Sequence, residues 1–318
     1  MFPMGVTVDP RMLMAFIAVA EEGGFTRAAE RLHLVQSSVS ASVKALESST
    51  GLQLLHRGTR AVTLTPEGRS FLPAARAAVA ALEEAKDSAA ALAGGGIGGH
   101  VAVGVLATPD IVSIATAIAT LHQRHPDLRI SVKSALGGSV ALQNDILANL
   151  LDVCFVVLPF AYSPDLTVEP LLTGKFVLAC GTSHPWAERS SPVEPEDLSG
   201  TGMVEFPRGF TLRESTDREL MARGIVRRTI VEVPHLDLVS GYVAAGVGVG
   251  FLTEAVARDH PGLVTLQTPW IDMRWTVAAA WANTRRLSRA AETFLDTVRD
   301  NCRRAIERDE TLFAPDAV

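Results

Sequence analysis

Between residues 36 and 48 the chain reads QSSVSASVKALES, and at helical spacing this run sorts into two faces. Val39, Val43 and Leu46 fall at i, i+4 and i+7 and make one apolar stripe, with Ser37, Ser40, Ala41 and Lys44 opposite. Hydroxyls donate or accept, an alanine methyl can touch a thymine methyl, and nothing on this face is too bulky to enter a duplex major groove. After Gly51 two short apolar runs flank Arg57, Gly58, Thr59 and Arg60. That pattern predicts a small hairpin that would lay Arg57 and Arg60 along phosphates, fixing register without reading bases.

A second group of residues has the chemistry of a small-molecule site. Thr108 follows an apolar run and opens a helix with Pro109 and Asp110, and Ser139 follows the Gly137-Gly138 turn and opens another. In open parallel sheets ligands bind beyond the carboxyl ends of strands, where helix N-termini offer free N–H groups, so both residues point to one crevice. Each is equally readable as a plain helix cap. The later run FPRGFT adds Arg208 as a partner for a carboxylate, with Phe210 and Thr211 as wall, and His235 stands where it can face the same gap. Small acids or aromatic carboxylates are the ligand class these residues suggest.

Enzyme chemistry finds little purchase. No His-x-x-x-His or paired-Cys metal pattern, Gly-x-Ser-x-Gly elbow or P-loop is present, and no cofactor is implied. The run GVGVG at 246–250 lacks the dinucleotide-binding spacing and precedes a strand, which makes it a tight turn. Cys154, Cys180 and Cys302 are an odd, widely spaced set, the first two inside apolar runs, and read as reduced core thiols. No stretch approaches eighteen consecutive apolar residues and the start lacks an export signal, so a cytoplasmic protein is expected.

The elements that must hold these residues follow from periodicity. A helix over 11–22 carries Leu13, Phe16, Ile17 and Ala20 on one face, and a short helix over 26–32 offers Ala28, Ala29 and Leu32 to the stripe of the helix at 36–48, a helix-turn-helix. Thr65 and Pro66 read as cap and first residue of a long helix. Along it Phe71, Ala75, Ala78, Leu82, Ala85, Ala89 and Leu92 step by four and three like a coiled-coil seam, and Pro73 should kink it near its start. Gly94–Gly99 holds five glycines in six residues and ends that helix.

Beyond the break, strand and helix alternate: strands at 101–107, 128–135 and 153–159 with helices at 111–125 and 140–150 predict a βαβαβ unit on a mostly parallel sheet. Strands at 176–180, 203–206, 230–233 and 247–252, with helices at 212–223 and 236–245, predict a second unit. A strand at 275–281 and a helix at 288–307 return to the first. The expected domains are residues 1–65, a linker and dimerisation helix over 66–93, and 94–318. The last divides into lobe 1, about 100–165 and 269–307, and lobe 2, about 166–268. At 318 residues with 47% hydrophobic content, the chain can build separate cores. Net charge is −6 overall, yet residues 25–76 hold seven Lys or Arg against three Glu, so positive charge gathers around the suspected reading head.

The run AERLHLVQSSVSASVKALESSTGLQLLHRGTRAVTLTPEG resembles the winged helix-turn-helix of LysR-type transcriptional regulators, with Gln36, Ser40, Leu46, Glu47, Gly51, Arg57, Leu64, Thr65, Pro66 and Gly68 at the pattern's positions. The two later α/β lobes resemble, more loosely, the periplasmic-binding-protein-like effector domain of the same family. The resemblance implies contacts to a pseudo-palindromic operator through Gln36, Ser37, Ser38, Ser40, Ala41, Lys44, Arg57 and Arg60. It also implies a small-molecule inducer at Thr108, Ser139, Arg208, Phe210, Thr211 and His235, a homodimer or homotetramer, and RNA polymerase as partner of an activator. Two departures stand out: Ala41 and Ser42 replace a common Arg-Gln, removing a bidentate base reader, and Val35 replaces a capping Ser or Thr. The residues alone leave open an enzyme or solute-binding protein on the two-lobed fold with a helical appendage.

Overall fold

The computed structural model describes residues 8–58, 62–92, 96–106, 114–135, 137–309 and 313, and the chain divides into two compact units. The first comprises Met1–Gly99 with Leu147–Leu150, and the second His100–Ile146 with Leu151–Val318.

In the first unit helix α1 (Pro10–Glu22) starts where the Asp9 carboxylate accepts the Arg11 N–H at 2.7 Å, and it stops at Gly23, whose φ of 64° favours glycine. Helix α2 (Phe25–Leu32) ends at His33, also left-handed, and α3 (Gln36–Thr50) follows shortly after. Strands β1 (Leu55–Arg57) and β2 (Val62–Leu64) pair antiparallel, Arg57 opposite Val62, and α4 (Pro66–Leu92) runs on through Pro73. Phe16, Val19, Ala28, Val39, Val43, Leu46, Leu54 and Leu55 are fully buried in one core. Each of the larger ones contributes about 1.5–3 kcal/mol by leaving water. The expected seam on α4 is only partly available: Phe71 and Ala75 pack into this core, with Leu72 and Val79 beside them. Ala78, Leu82, Ala85 and Ala89 stay exposed, and the Leu92 side chain lies outside what is described.

The second unit is built on a seven-stranded sheet, in the order β10-β6-β11-β5-β3-β4 with β9 on β6. In chain order its elements are β3 (Gly99–Leu106), α5 (Ile114–Arg124), β4 (Leu128–Ala135), α6 (Gly138–Leu147), β5 (Val153–Leu158) and β6 (Leu166–Gly181). Then come β7 (Gly202–Glu205), α7 (Thr211–Met221), β8 (Arg228–Glu232), α8 (Leu236–Ala244), β9 (Gly250–Thr253), α9 (Glu254–Asp259), β10 (Leu263–Leu266), β11 (Met273–Ala282) and α10 (Arg289–Arg308). β3 runs parallel to β5, and β7 parallel to β8. β11 runs antiparallel to both β5 and β6, as do β9 and β10 to β6. The parallel pairing expected of the βαβαβ unit is present at β3–β5, and the sheet as a whole is mixed because β6, β9, β10 and β11, which lie outside that unit, add antiparallel pairings.

The expected strand at 176–180 is the end of the 16-residue β6, which with β11 passes from one lobe to the other. Pairing along these two strands shifts between Val277 and Ala278, leaving Leu171 unpaired beside Pro170, which has no N–H to offer the ladder. Lobe 2 has its own core, with Leu178, Leu198, Met203, Leu220, Val239 and Val249 among its fully buried members. In lobe 1 Phe155 meets Phe294 of α10 edge-on at 6.2 Å. Among the described residues no helix is long and apolar enough to cross a membrane.

Candidate nucleic-acid interface and ligand cavity

On α3 the two faces separate as spacing demands. Val39, Val43 and Leu46 are fully buried; Gln36, Ser37, Ser38, Ala41 and Lys44 are exposed and Ser40 is half-buried. Val35, at the helix N-cap, makes no side-chain cap bond, as its chemistry requires, and is 66% exposed. The Arg57 backbone lies in β1, whereas its side chain and all of Arg60 fall outside the described residues.

The motif residues around this helix act as fasteners. The Glu47 carboxylate accepts the N–H groups of Leu54 and Leu55 at 2.9 and 3.2 Å, tying the end of α3 to the start of the hairpin. The Thr65 hydroxyl donates to the Gln53 carbonyl at 2.7 Å and accepts the Gly68 N–H at 2.9 Å, while the Thr65 N–H bonds the Leu54 carbonyl at 3.0 Å. Gly68 has no alternative, since a Cβ there would stand 2.1 Å from the Leu54 carbonyl oxygen. Arg76 ties α4 to α1 through Glu21 at 2.9 Å, and Glu21 also holds Arg31 at 2.6 Å.

In the second unit a cavity of about 400 Å³ lies between the lobes, a size typical of small-molecule sites. Lobe 1 lines it with Leu106, Ile114, Ile118, Val132 and Phe155, lobe 2 with Phe176, Phe206, Phe210, Leu212 and Leu236, and β11 adds Trp275 and Val277. Ser139 and Thr211, both anticipated, line it too, but their hydroxyls are engaged. The Ser139 hydroxyl accepts the Val157 N–H at 3.1 Å, and the Thr211 hydroxyl donates to the Val157 carbonyl at 2.9 Å. One strand residue is thus gripped from its own lobe and from the other. The close approach continues at Gly138, whose φ is 69° and where a Cβ would meet the Gly209 carbonyl oxygen at 3.2 Å.

Of the other anticipated residues, Phe210 lines the cavity and packs on Phe206 at 5.4 Å. Arg208 is exposed and not on the wall, and His235 is the half-buried N-cap of α8, where its neighbour Leu236 lines the cavity instead. Thr108 lies outside the described residues. Phe176, Trp275, Val277 and Thr253 carry no signal by which sequence reasoning finds them. An inward strand position looks the same whether it meets a core or a cavity.

Behind the Phe206 and Leu212 wall sits a charged network. Arg213, 8% exposed, donates to the Phe206 carbonyl at 3.0 Å, Asp217 at 2.9 Å and Glu232 at 3.2 Å. Arg227 bonds Glu205 at 2.8 Å and also Asp217. Burial alone would push the Asp217 carboxyl up, but hydrogen bonds from Arg227 and Arg213 outweigh it and hold it below the ordinary carboxylate range. Burial pushes the Cys154 thiol up to about 12, with the Asp145 charge adding, and does the same to Cys302; Cys180 is also raised by burial.

Comparison with known proteins accounts for both units. The family described as "Bacterial regulatory helix-turn-helix protein, lysR family" matches residues 10–69, and that described as "LysR substrate binding domain" matches residues 94–303. The transcriptional regulator ShiR of Corynebacterium glutamicum is 33% identical over 260 residues, covering 80% of this chain and 85% of that protein. A full-length OxyR variant from Pseudomonas aeruginosa superposes with a TM-score of 0.70 at 26% identity, over 93% of this chain and 95% of that one. Full-length CbnR, solved complexed with its target DNA, shares the fold with a TM-score of 0.62 at 23% identity, over 92% of this chain and 99% of that one. These relatives are regulators and not enzymes, so the enzyme alternative is not favoured. The chain belongs to the LysR family, as a DNA-binding transcriptional regulator with an effector-binding domain.

Proposed function

We propose that this regulator reads a pseudo-palindromic operator as a homodimer or homotetramer, each copy inserting the exposed face of α3. Gln36, Ser37, Ser38, Ser40 and Ala41 meet base edges, while Lys44, Arg57 and Arg60 meet phosphate. Two such heads would read half-sites about one helical turn apart. The Ala78, Leu82, Ala85 and Ala89 stripe, exposed in the single chain, is the surface of α4 left for a second copy. A small molecule between the effector lobes controls the switch, and it must favour one lobe arrangement over another, since equal affinity for both would shift nothing. The register shift in β6 and β11 is a natural place for the lobes to hinge. A carboxylate, the class Arg208 suggested, finds no cation among the described lining residues. The protein works in the cytoplasm, with RNA polymerase as a further partner if it activates.

The observation that supports this reading best is the division of α3 into a buried apolar stripe and an exposed face of small polar groups and one lysine. Footprinting of the duplex just upstream of the protein's own coding region tests it. Protection is expected there, and Lys44→Ala and Arg60→Ala should weaken binding and lower the slope of log affinity against log salt by about 0.9 for each phosphate no longer neutralised. Failure to prefer any duplex over random competitor at moderate ionic strength sinks the proposal.

A further inference from the structure

Among the described polar side chains on the cavity wall, three are committed elsewhere. Ser139 and Thr211 are held by Val157, and the Trp275 indole N–H donates to the Lys175 carbonyl at 3.2 Å. The fourth is Thr253, which is 5% exposed and whose hydroxyl has no hydrogen-bond partner among the described residues. More than about nine in ten buried polar groups in folded proteins are paired, so a solitary one asks what completes it. Thr253 is also the N-cap of α9, yet its hydroxyl does not make the capping bond usual for threonine there. It stands opposite Phe176 in the β9–β6 pairing, and the Phe176 ring lies 6.3 Å from that of Trp275. A free hydroxyl therefore sits beside an aromatic wall.

Charge decides the rest. No Lys, Arg or His is among the described lining residues, and moving an ionised carboxylate into such a cavity without a partner costs several kcal/mol. We propose that the effector is an uncharged, largely apolar ring compound bearing one carbonyl or hydroxyl, and that the Thr253 hydroxyl is its hydrogen-bonding anchor. This rests on the reading that the cleft is the effector site.

The experiment uses the full chain and three probes of similar shape: acetophenone, benzoate and ethylbenzene. Binding is followed by calorimetry and by tryptophan fluorescence, since Trp275 is on the wall. Native protein should bind acetophenone at least about tenfold more tightly than benzoate. Thr253→Val, which keeps the side-chain shape, should weaken acetophenone about tenfold, the contribution of one buried hydrogen bond, and leave ethylbenzene unchanged, while Thr253→Ser keeps acetophenone binding. Ala115→Trp, which places a large ring on the cavity side of α5, separates the two layers of the reading. If benzoate binds best and Ala115→Trp abolishes it, the cleft stands and the uncharged ligand falls. If Thr253→Val leaves acetophenone binding unchanged, the anchor falls. If Ala115→Trp binds the probes as native does, the cleft itself is not the site; if native protein binds none of them at millimolar concentration, the proposed ligand class is overturned.

Discussion

Substituting Gly68 by alanine sets two physical effects against each other, and the structure says which wins. Gly68 lies in the first turn of α4, and in an isolated helix alanine would be favoured over glycine by about 1 kcal/mol. Here the new methyl would stand 2.1 Å from the Leu54 carbonyl oxygen and 3.0 Å from its carbon, both backbone atoms with little room to yield. Helix and hairpin must part, straining the Thr65 N–H bond to Leu54 and the Thr65 hydroxyl bond to Gln53, at 3.0 and 2.7 Å. Overpacking costs about 1–3 kcal/mol and each weakened hydrogen bond about 1 kcal/mol. After the propensity gain the net loss is about 2–4 kcal/mol. For a unit of this size that is a fall in melting temperature of at least about 8 °C. All four tryptophans, Trp186, Trp270, Trp275 and Trp281, belong to the effector unit. Far-ultraviolet circular dichroism should therefore report an early transition that tryptophan fluorescence does not follow. Operator affinity should drop with it, because the β1–β2 hairpin that carries the proposed phosphate contacts is displaced. A Gly68→Ala protein as stable as native, or more so, would show that the Leu54 contact is not what requires glycine here.

Other perturbations test the effector unit. Thr211→Val removes the hydroxyl that crosses to the Val157 carbonyl and should destabilise that unit by about 1–2 kcal/mol in fluorescence-detected urea unfolding, with Thr211→Ser close to native; equal midpoints for all three would deny the bridge a role. Asp217 has its carboxyl held below the unfolded value, so its stabilisation is present above the ordinary carboxylate range near about 3.9 and is lost as pH falls through the depressed folded value. Asp217→Asn should flatten the acid limb of stability against pH, and an unchanged limb counts against the network. Cys154 and Cys302, with thiols at about 12, should resist iodoacetamide in the native protein at mildly alkaline pH and react in urea, as peptide mass mapping would reveal. Rapid native labelling of either would contradict their burial.

The DNA-reading end was legible in the amino-acid order because its information is local. Val39, Val43 and Leu46 repeat at helical spacing, Gly23 and Gly51 stop helices at left-handed positions, and Thr65 with Pro66 announces α4. Each of those features acts within a turn or two of chain. The cavity depended on distant partners. Ser139 and Thr211 looked like ligand groups, and only folding showed both engaged by Val157, from elements 18 and 54 residues away. Arg208 looked like a carboxylate's partner until the loop left it in solvent, and β6 looked like a short strand until its pairing with β11 extended it across both lobes. Residue order settled which faces are apolar and where helices begin and end, since these obey short-range sterics and hydrogen bonding. Strand direction, the cavity wall and the unpartnered hydroxyl of Thr253 were decided by tertiary packing, because each is a property of residues that meet only once the chain has closed on itself.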